Sequence, residues 1–246
     1  MTTTSSLAVE ALNGGNVTVP AAGEAGVLRA LLPDDVVVVE TSEPAPLGIL
    51  LAEERAAIAS SVPQRAVEFA TGRWCARRAM ARIGIHDFPL LPNPDRAPMW
   101  PAGILGSITH TEGYCAAVAS LRDGYAGIGI DAEIAGRAGV ELWSLLFTTE
   151  EIDWLERLPL QRRSTMATVL FSAKESFYKA QYALTHAWVD FQAAMITVDG
   201  NSWNLDLIRP QGALANLRLP LRGRFATHDR LVVTAIAIDL AQLVRV

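Results

Sequence analysis

The sequence predicts an α+β fold in which two similar α/β halves follow one another in a chain of 246 residues. The first observation is that the order strand, helices, returning strands occurs twice, on either side of a junction near residues 121–126. The second is that a turn sequence, Arg122, Asp123 and Gly124, lies at this junction. The third is that half of the residues are hydrophobic, enough for one large core or two smaller ones. No residue-level repeat accompanies the duplication, so it rests on the order of the elements.

The first predicted half follows an N-terminal tail, residues 1–26, that is rich in Ala, Gly, Ser and Thr. It contains a strand at Val36–Val39, a helix in LGILLAEERAAIAS and, beyond the break at Pro63, a helix from about Gln64 to Ile83. A proline-rich loop, LPNPDRAPMWPAGI, leads to the strand-like segment GSITHTEGYCAAVASL. These elements define an N-terminal subdomain at residues 27–122.

The second predicted half comprises residues 123–246. A strand at about Gly127–Glu133 is followed by helices in WSLLFTTEEIDWLERL and TMATVLFSAKESFYKAQYAL. Strands in MITVD, WNLDLI and RLVVTAIAIDL then return. This recurrence of strand, helices and strands defines a C-terminal subdomain.

Composition and charge exclude several classes of protein. A net charge of -5 excludes a globally basic nucleic-acid-binding protein. The N-terminus lacks a basic region followed by an apolar run, and no stretch of about 18 apolar residues occurs, so neither secretion nor membrane insertion is predicted. The two cysteines, Cys75 and Cys115, form no CxxC motif. We therefore expect a folded cytoplasmic protein that binds neither nucleic acid nor membranes.

Lysine is rare in this chain: only two of its 21 basic residues are lysines, Lys174 and Lys179, and both lie in FSAKESFYKA. Lysine can release its proton, whereas the guanidinium group of arginine stays charged. A site that holds a phosphate and also hands over a proton would therefore need lysine. Chance clustering is the alternative. Around a helix Lys174 lies about 100° from Glu175, so we expect it only at the rim of such a site.

The segment GIGIDAEI has the alternation of a strand. Its isoleucines share one face, while Gly127, Gly129, Asp131 and Glu133 share the other, which is predicted to be open and acidic. Two carboxylates on one face repel each other unless a cation lies between them, and Mg²⁺ is typically held by such carboxylates and substrate phosphates. The glycines are predicted to leave room for the ligand. A solvated strand end with two surface acids is the alternative.

The helix in FSAKESFYKAQYAL carries Glu175 and Lys179 on one face, four residues apart. Phe171, Tyr178 and Tyr182 flank this face, and three aromatic residues are unusual on a solvated face. The face is therefore predicted to be covered, so that its carboxylate and ammonium groups need partners. Glu175 could join the two strand acids at a metal, while Lys179 neutralises a phosphate. A surface ion pair is the alternative.

Four further residues are candidates for binding an anion. Arg65 and Arg73 lie on or beside the apolar stripe of the preceding helix, where they either point into a pocket or extend past the edge of the stripe into water. Thr109 and His110 precede the apolar run YCAAVAS and could bond phosphate oxygens, although a lone histidine more often has a structural role.

Taken together, GIGIDAE, FSAKESFYKA about forty residues later and SITH upstream resemble the motifs of the 4'-phosphopantetheinyl transferases. The two halves in one chain are similar to the Sfp and EntD type, and RAVEFATGRWCARRAM with APMWPAGILGSITH looks most like the bacterial EntD branch. The resemblance covers about residues 35–190. It implies two subdomains related by a pseudo-two-fold axis, with the active site at their interface.

The resemblance implies transfer of phosphopantetheine from coenzyme A to a serine of an apo carrier protein, with release of adenosine 3',5'-bisphosphate. Asp131, Glu133 and Glu175 would bind Mg²⁺, with Mn²⁺ as an alternative, and Ala132 could add only its backbone carbonyl. Glu175 would deprotonate the serine. Lys179 would stabilise the diphosphate of coenzyme A and protonate the departing bisphosphate. Asp131, Glu175 and Lys179 are thus the expected catalytic residues, and all three would also contact coenzyme A, directly or through the metal.

The resemblance also assigns five further residues to coenzyme A. Arg65 and Arg73 would contact its nucleotide and phosphates, Thr109 and His110 its phosphates, and Arg96 in the proline-rich loop its adenosine end.

Carrier recognition is expected on the helical part of the second half, because the target helices of carriers are typically acidic. The candidate residues are Arg137, Arg157, Arg162, Arg163, Leu142, Trp143 and Leu146. Acyl and peptidyl carriers of fatty acid, polyketide or nonribosomal peptide synthases are all compatible with the sequence. A monomer is expected because both halves lie in one chain. The competing functions are a Mg²⁺-dependent hydrolase of a nucleotide or coenzyme A diphosphate and a catalytically silent carrier-binding module.

Overall fold

The computed structural model of the chain describes residues 26–208, 210 and 212–243. The predicted tail lies outside these residues, apart from Gly26. The strands of the described part are β1 (Val37–Thr41), β2 (Ile104–Thr111), β3 (Tyr114–Leu121), β4 (Tyr125–Ile134), β5 (Ala194–Asp199), β6 (Ser202–Leu207), β7 (Leu221–His228) and β8 (Leu231–Asp239). The α-helices are α1 (Ala52–Ala57), α2 (Pro63–Arg82), α3 (Trp143–Leu146), α4 (Thr149–Arg157) and α5 (Leu160–Thr185). None of the described helices is long and apolar enough to cross a membrane.

The strands form two antiparallel sheets. The first has three strands in the order β1-β3-β2, and the second has five in the order β4-β8-β7-β6-β5. The chain passes from one sheet to the other between Leu121 and Tyr125, where the sequence predicted a junction. One long helix packs on each sheet, α2 on the first and α5 on the second. The predicted α+β class is confirmed, while the two-fold relation between the halves stays a prediction.

Two strand predictions need correction. The segment GSITHTEGYCAAVASL, expected as one strand-like stretch, is the hairpin β2–β3, and Gly113 turns the chain with a φ of 69°. Strand β7 was not predicted. Its residues alternate between buried and exposed, with Leu221 and Phe225 pointing inward, but its arginines and Gly223 weaken the apolar signal. Gly223 is needed because the ring of Trp203 lies against its Cα, where a side chain would collide with it.

Three clusters of buried apolar side chains hold the layers together. In one of them α5 packs on the five-stranded sheet and encloses Phe177 and Trp203. Another lies under α2 and the three-stranded sheet. The cluster between the two sheets includes Leu105 of β2 and Ile130 of β4. This last cluster fixes β2 beside β4, and the candidate site lies along that seam.

The glycines of β4 make room for a helix, not for a ligand as the sequence suggested. A methyl group on Gly127 would collide with the carbonyl oxygen of Ala180, and one on Gly129 with that of Ser176. Helix α5 therefore crosses β4 at very close range, which only glycine permits. The predicted open face of the strand is covered by α5, and Asp131 is buried beneath it.

Candidate active site

Asp131 lies at the centre of the candidate site, on strand β4 and almost fully buried. Its Oδ1 accepts a hydrogen bond from Lys179 Nζ at 2.7 Å and a longer one from Thr109 Oγ1 at 3.3 Å. Lys179 Nζ also donates to the carbonyl oxygen of Ile130 at 3.1 Å. Asp131 Oδ2 is buried and has no hydrogen-bond partner among the described residues. Because a buried, unpaired carboxylate oxygen is costly, this atom is available to a ligand.

Two more acids interact electrostatically with Asp131. Burial raises the pKa of Glu133 to about 7, and repulsion by Asp131 adds to that increase. Burial also raises the pKa of Glu175; Lys179 opposes this shift, and Asp131 adds to it. Arg137 Nε lies 4.0 Å from Glu133 Oε2, but this arginine is well exposed and its pairing is weak. Three carboxylates therefore destabilise one another's charges, which favours binding of an added cation.

The donor set fits a divalent cation in part. Within residues 26–208, 210 and 212–243, no three His, Cys, Asp or Glu side chains are grouped closely enough to hold a metal by themselves. Mg²⁺ prefers carboxylate oxygens, however, and it usually takes further ligands from water and substrate phosphates. The unpaired Oδ2 of Asp131 suits such an ion. The metal ligands Asp131, Glu133, Glu175 and the backbone of Ala132 stay a prediction.

A cavity of about 600 Å³ adjoins these residues. One wall is the proline-rich loop and the start of β2, residues 93–108, and includes Arg96. The opposite wall is helix α5, with Glu175, Lys179 and Tyr182. This volume lies in the usual range for cofactor sites. The predicted covering of the Glu175 face is confirmed, since this glutamate and Lys179 are each only partly exposed.

The two walls of the cavity are linked by a hydrogen bond that the sequence did not predict. Tyr182 Oη on α5 donates to Asp95 Oδ2 in the loop at 2.7 Å. The loop itself is closed by Asn93, whose Oδ1 accepts from the amide of Ala97 at 2.8 Å. Arg96 follows Asp95 with a left-handed φ of 67°. The Tyr182 contact therefore connects the segment that carries Arg96 to helix α5.

Glu175 borders a second, smaller cavity of about 160 Å³. Tyr178, Trp188 and Phe191 supply much of its aromatic lining. Glu175 and Tyr178 line both cavities, so the carboxylate of Glu175 lies where two binding spaces adjoin. This carboxylate can therefore be approached from both cavities.

Arg65 and His110 form a pair beside the site. Arg65 Nη1 lies 3.0 Å from His110 Nε2, and Glu68 contacts both side chains. The pKa of His110 is lowered, chiefly by burial and also by Arg65 and Lys179, while Glu68 and Asp131 oppose the shift. A neutral imidazole can accept a hydrogen bond from Arg65 through Nε2. Both residues are exposed enough to reach a ligand.

Arg73 and Thr109 are already engaged by the protein. Arg73 is buried, its Nε donates to the carbonyl oxygen of Leu90 at 2.6 Å, and its guanidinium group stacks on Phe69. Burial lowers its pKa to about 10. The Thr109 hydroxyl donates to Asp131 and accepts from the amide of Ala132 at 2.9 Å. Either residue would have to give up a protein contact before binding a phosphate.

Lys174 borders the smaller cavity together with Glu175, but its ammonium group is paired inside the protein, and its role at the rim of the site stays a prediction. Its side chain is only 2% exposed, and Nζ lies 2.7 Å from Glu151 Oε2. Nζ also donates to the carbonyl oxygens of Leu146 and Phe191. One feature of the sequence could have pointed to Glu151: it belongs to the capping box Thr148-x-x-Glu151 at the start of α4. Lys174 thus connects α5 with α3 and α4 in the interior of the protein.

Family models match most of the length of the chain. The model described as 4'-phosphopantetheinyl transferase N-terminal domain matches residues 53–120. The model described as 4'-phosphopantetheinyl transferase superfamily matches residues 127–227. The chain belongs to this superfamily. The two matches meet near the passage between the sheets.

Individual relatives agree with this assignment. The chain is 38% identical to 4'-phosphopantetheinyl transferase Svp of Streptomyces mobaraensis. The match covers 86% of this chain and 89% of Svp. The chain is 36% identical to 4'-phosphopantetheinyl transferase PptT of Mycobacterium tuberculosis over 87% and 97% of the two chains. Enterobactin synthase component D of Salmonella typhimurium is 35% identical over 48% of each chain. The predicted EntD-like branch is confirmed, and the protein is a transferase.

Proposed function

We propose that this transferase moves the 4'-phosphopantetheinyl group of coenzyme A to a serine hydroxyl of an apo acyl or peptidyl carrier protein. Its family and its relatives support the reaction, since the Svp and PptT relatives are named 4'-phosphopantetheinyl transferases. The observation that carries the assignment is the contact of Lys179 with Asp131 beside Glu175, at the wall of a cavity of cofactor size. Lysine and carboxylates placed in this way suit attack on a diphosphate.

The side chains divide the proton transfers between them. The serine oxygen forms a bond to the β-phosphorus of coenzyme A. As it does so, the bond breaks between the β-phosphorus and the oxygen that bridges the two phosphorus atoms. Glu175, partly buried and with a raised pKa, takes the serine proton. Lys179 holds the diphosphate by its charge and gives a proton to the departing adenosine 3',5'-bisphosphate. Mg²⁺, or Mn²⁺ in its place, held by Asp131 with Glu133 and Glu175, would neutralise charge on the diphosphate.

The proposed coenzyme A contacts come from one wall of the cavity and from residues outside its lining. Arg96 lines the large cavity and is proposed to contact the adenosine end. Arg65 and His110 are proposed to bind phosphate oxygens, since both are exposed beside the reaction residues. Arg73 is proposed to act chiefly by holding the loop at Leu90, with a phosphate contact only if its burial is relieved. Asp131, Glu175 and Lys179, already placed in the reaction, supply further contacts, while Thr109 would first have to release Asp131 or the amide of Ala132.

The carrier is proposed to dock on the exposed apolar residues before and within α3. Val140, Leu142 and Leu145 are exposed there, whereas Trp143 and Leu146, which the sequence also suggested, are buried in the core. Arg137 lies nearby and is well exposed. Of the other candidate arginines, Arg157 and Arg162 are exposed, while Arg163 donates to the carbonyl oxygens of Leu158 and Glu156 and so closes the α4–α5 turn. Acidic carriers would complement the exposed arginines.

Location and assembly complete the proposal. We place the enzyme in the cytoplasm, where apo carriers are made, and no described helix could span a membrane. A monomer is sufficient, because strand β2 of the first sheet and strand β4 with helix α5 of the second supply the site within one chain.

The deciding experiment combines the protein with coenzyme A, Mg²⁺ and a panel of apo carriers. The intact mass of each carrier is then measured. The expected result is addition of one phosphopantetheine to the target serine and none to a serine-to-alanine carrier. Consumption of coenzyme A without any carrier would favour a diphosphate hydrolase instead. Carrier binding without mass change or coenzyme A loss would identify a silent binding module.

A further inference from the structure

Strands β2 and β4 face each other as the edges of two different sheets. Side-chain hydroxyl groups join them: Ser107 Oγ accepts from the amide of Ile130 at 3.2 Å, and Thr109 Oγ1 accepts from the amide of Ala132 at 2.9 Å. The two hydroxyls are two residues apart and meet amides that are two residues apart, as the strand period requires. Each satisfies a buried amide at the edge of β4.

The two hydroxyls differ in one respect. Among the described residues, the Ser107 hydroxyl bonds to a backbone amide alone, while Thr109 also donates its own proton to Asp131 Oδ1 at 3.3 Å. Because the amide of Ala132 uses an oxygen lone pair of Thr109, the threonine proton is left for the carboxylate. Thr109 is 4% exposed, and its branched side chain restricts the rotation of the hydroxyl group.

Two donors thus converge on one oxygen of Asp131. Lys179 Nζ lies 2.7 Å from Oδ1, and Thr109 binds the same atom. Oδ2, in contrast, has no partner in the described part of the chain. Because the two carboxylate oxygens are equivalent, these contacts fix the plane of the group and keep one oxygen turned away from both donors. The side chain of Lys179 is long and 27% exposed, whereas that of Thr109 is short, branched and buried, so Thr109 is the more constrained member of the pair.

We propose that Thr109 is a positioning residue that fixes the Asp131 carboxylate so that Oδ2 faces a divalent cation. This rests on the proposed function, in which Asp131 binds such a cation together with coenzyme A. It differs from the sequence expectation that Thr109 contacts a coenzyme A phosphate. A phosphate ligand would affect coenzyme A affinity without metal, whereas a positioning residue affects the affinity for the cation.

The test compares Thr109→Val, Thr109→Cys and Thr109→Ser with the matched control Ser107→Ala. Ser107→Ala removes the parallel hydroxyl contact but no contact to a carboxylate. Mn²⁺ binding is measured from the electron paramagnetic resonance signal of free Mn²⁺, with and without coenzyme A. Coenzyme A binding without metal is measured by calorimetry, and Tm by scanning calorimetry. Asp131→Asn serves to show that the Mn²⁺ measured is bound at this carboxylate.

Thr109→Val is expected to weaken Mn²⁺ binding about tenfold or more, as for loss of a hydrogen bond to a charged group. Thr109→Ser should bind Mn²⁺ about as well as the wild type. Thr109→Cys has a weak donor and a similar size, so its Mn²⁺ affinity should lie between those of the valine and serine variants. The cysteine variant also serves as the test if the valine variant does not fold. Ser107→Ala should lower Tm without changing Mn²⁺ affinity. Metal-free coenzyme A binding should be unchanged in the Thr109 variants, whereas Ser107→Ala is compared only for Mn²⁺ affinity and Tm, because Ser107 lines the large cavity.

The proposal is overturned if the valine and cysteine variants bind Mn²⁺ as the wild type does, or if Ser107→Ala weakens Mn²⁺ binding equally. It also fails if the wild-type protein binds no Mn²⁺ with or without coenzyme A. If the wild type binds Mn²⁺ through Asp131 but modifies no carrier, the proposed transfer reaction fails while the role of Thr109 stands.

Discussion

Lys174 Nζ lies 2.7 Å from Glu151 Oε2, and both side chains are almost completely buried. Glu151 also accepts hydrogen bonds from the amides of Thr148 and Ile196. Burial lowers the pKa of Lys174, and the charge of Glu151 opposes this shift. This pair therefore connects α5, the start of α4 and strand β5. Lys174 directly precedes Glu175 in the chain. Helix α5 is therefore held in place by a buried charge contact next to the candidate site.

Removing the ammonium from this pair should destabilise the fold. Lys174→Met leaves the Glu151 carboxylate buried without its cation, at a cost of about 3–5 kcal/mol. Adding Glu151→Gln should recover part of this loss, because it removes the unpaired buried charge while its single amide oxygen still accepts from one of the two backbone amides. Urea denaturation of both single variants and the double variant gives the coupling energy. A Lys174→Met protein as stable as the wild type would contradict the buried pair.

Glu175→Gln should slow transfer by at least ~100-fold while coenzyme A still binds, because the amide cannot take the serine proton. Single-turnover transfer to a carrier and calorimetric coenzyme A binding measure the two effects separately. Glu53→Gln, at an exposed acid of α1, is the matched control and should transfer normally. A Glu175→Gln enzyme with near-normal rate would assign the proton transfer to another group.

Lys179→Arg should keep much of the diphosphate affinity but lose rate. Guanidinium retains the positive charge near Asp131, yet it does not release a proton at neutral pH. Lys179→Met should lose both affinity and rate. The informative measurement is kcat separately from KM for coenzyme A in all three proteins. If arginine restored full kcat, lysine would act as a charge only and the bisphosphate would be protonated by water.

Local patterns in the sequence predicted much of this site, and the remainder depended on contacts across the fold. The period of β4 placed Asp131 and Glu133 together, and the period of α5 placed Glu175 with Lys179. The structural role of Gly129 could not be predicted, because it depends on where α5 crosses the strand. The pairing of Lys174 was missed for a related reason: its partner lies on another helix, and no sequence period connects the two.

Gly129→Ala should test that crossing directly. The added methyl group would meet the carbonyl oxygen of Ser176 in the backbone of α5, which cannot move without displacing the helix. We expect a loss of about 1–3 kcal/mol or more in the free energy of unfolding, as for overpacked cores. Gly48→Ala is the control, since a methyl group there meets no atom within 4 Å. Equal stability of the two variants in urea would show that α5 lies farther from β4.

The bond between Tyr182 and Asp95 gives a last prediction, about coenzyme A affinity. Tyr182→Phe removes the donor that ties the Arg96 loop to α5. Loss of an ordinary hydrogen bond should raise KM for coenzyme A about two- to tenfold, with kcat little changed, because the reacting groups are untouched. Tyr125→Phe is the matched control: Tyr125 Oη donates to Asp35 Oδ1 at the same 2.7 Å, but neither residue lines the large cavity. Steady-state kinetics with saturating carrier measure both variants. If both raised KM alike, the effect would reflect general loosening of the fold; if neither did, Arg96 would be positioned without this bond.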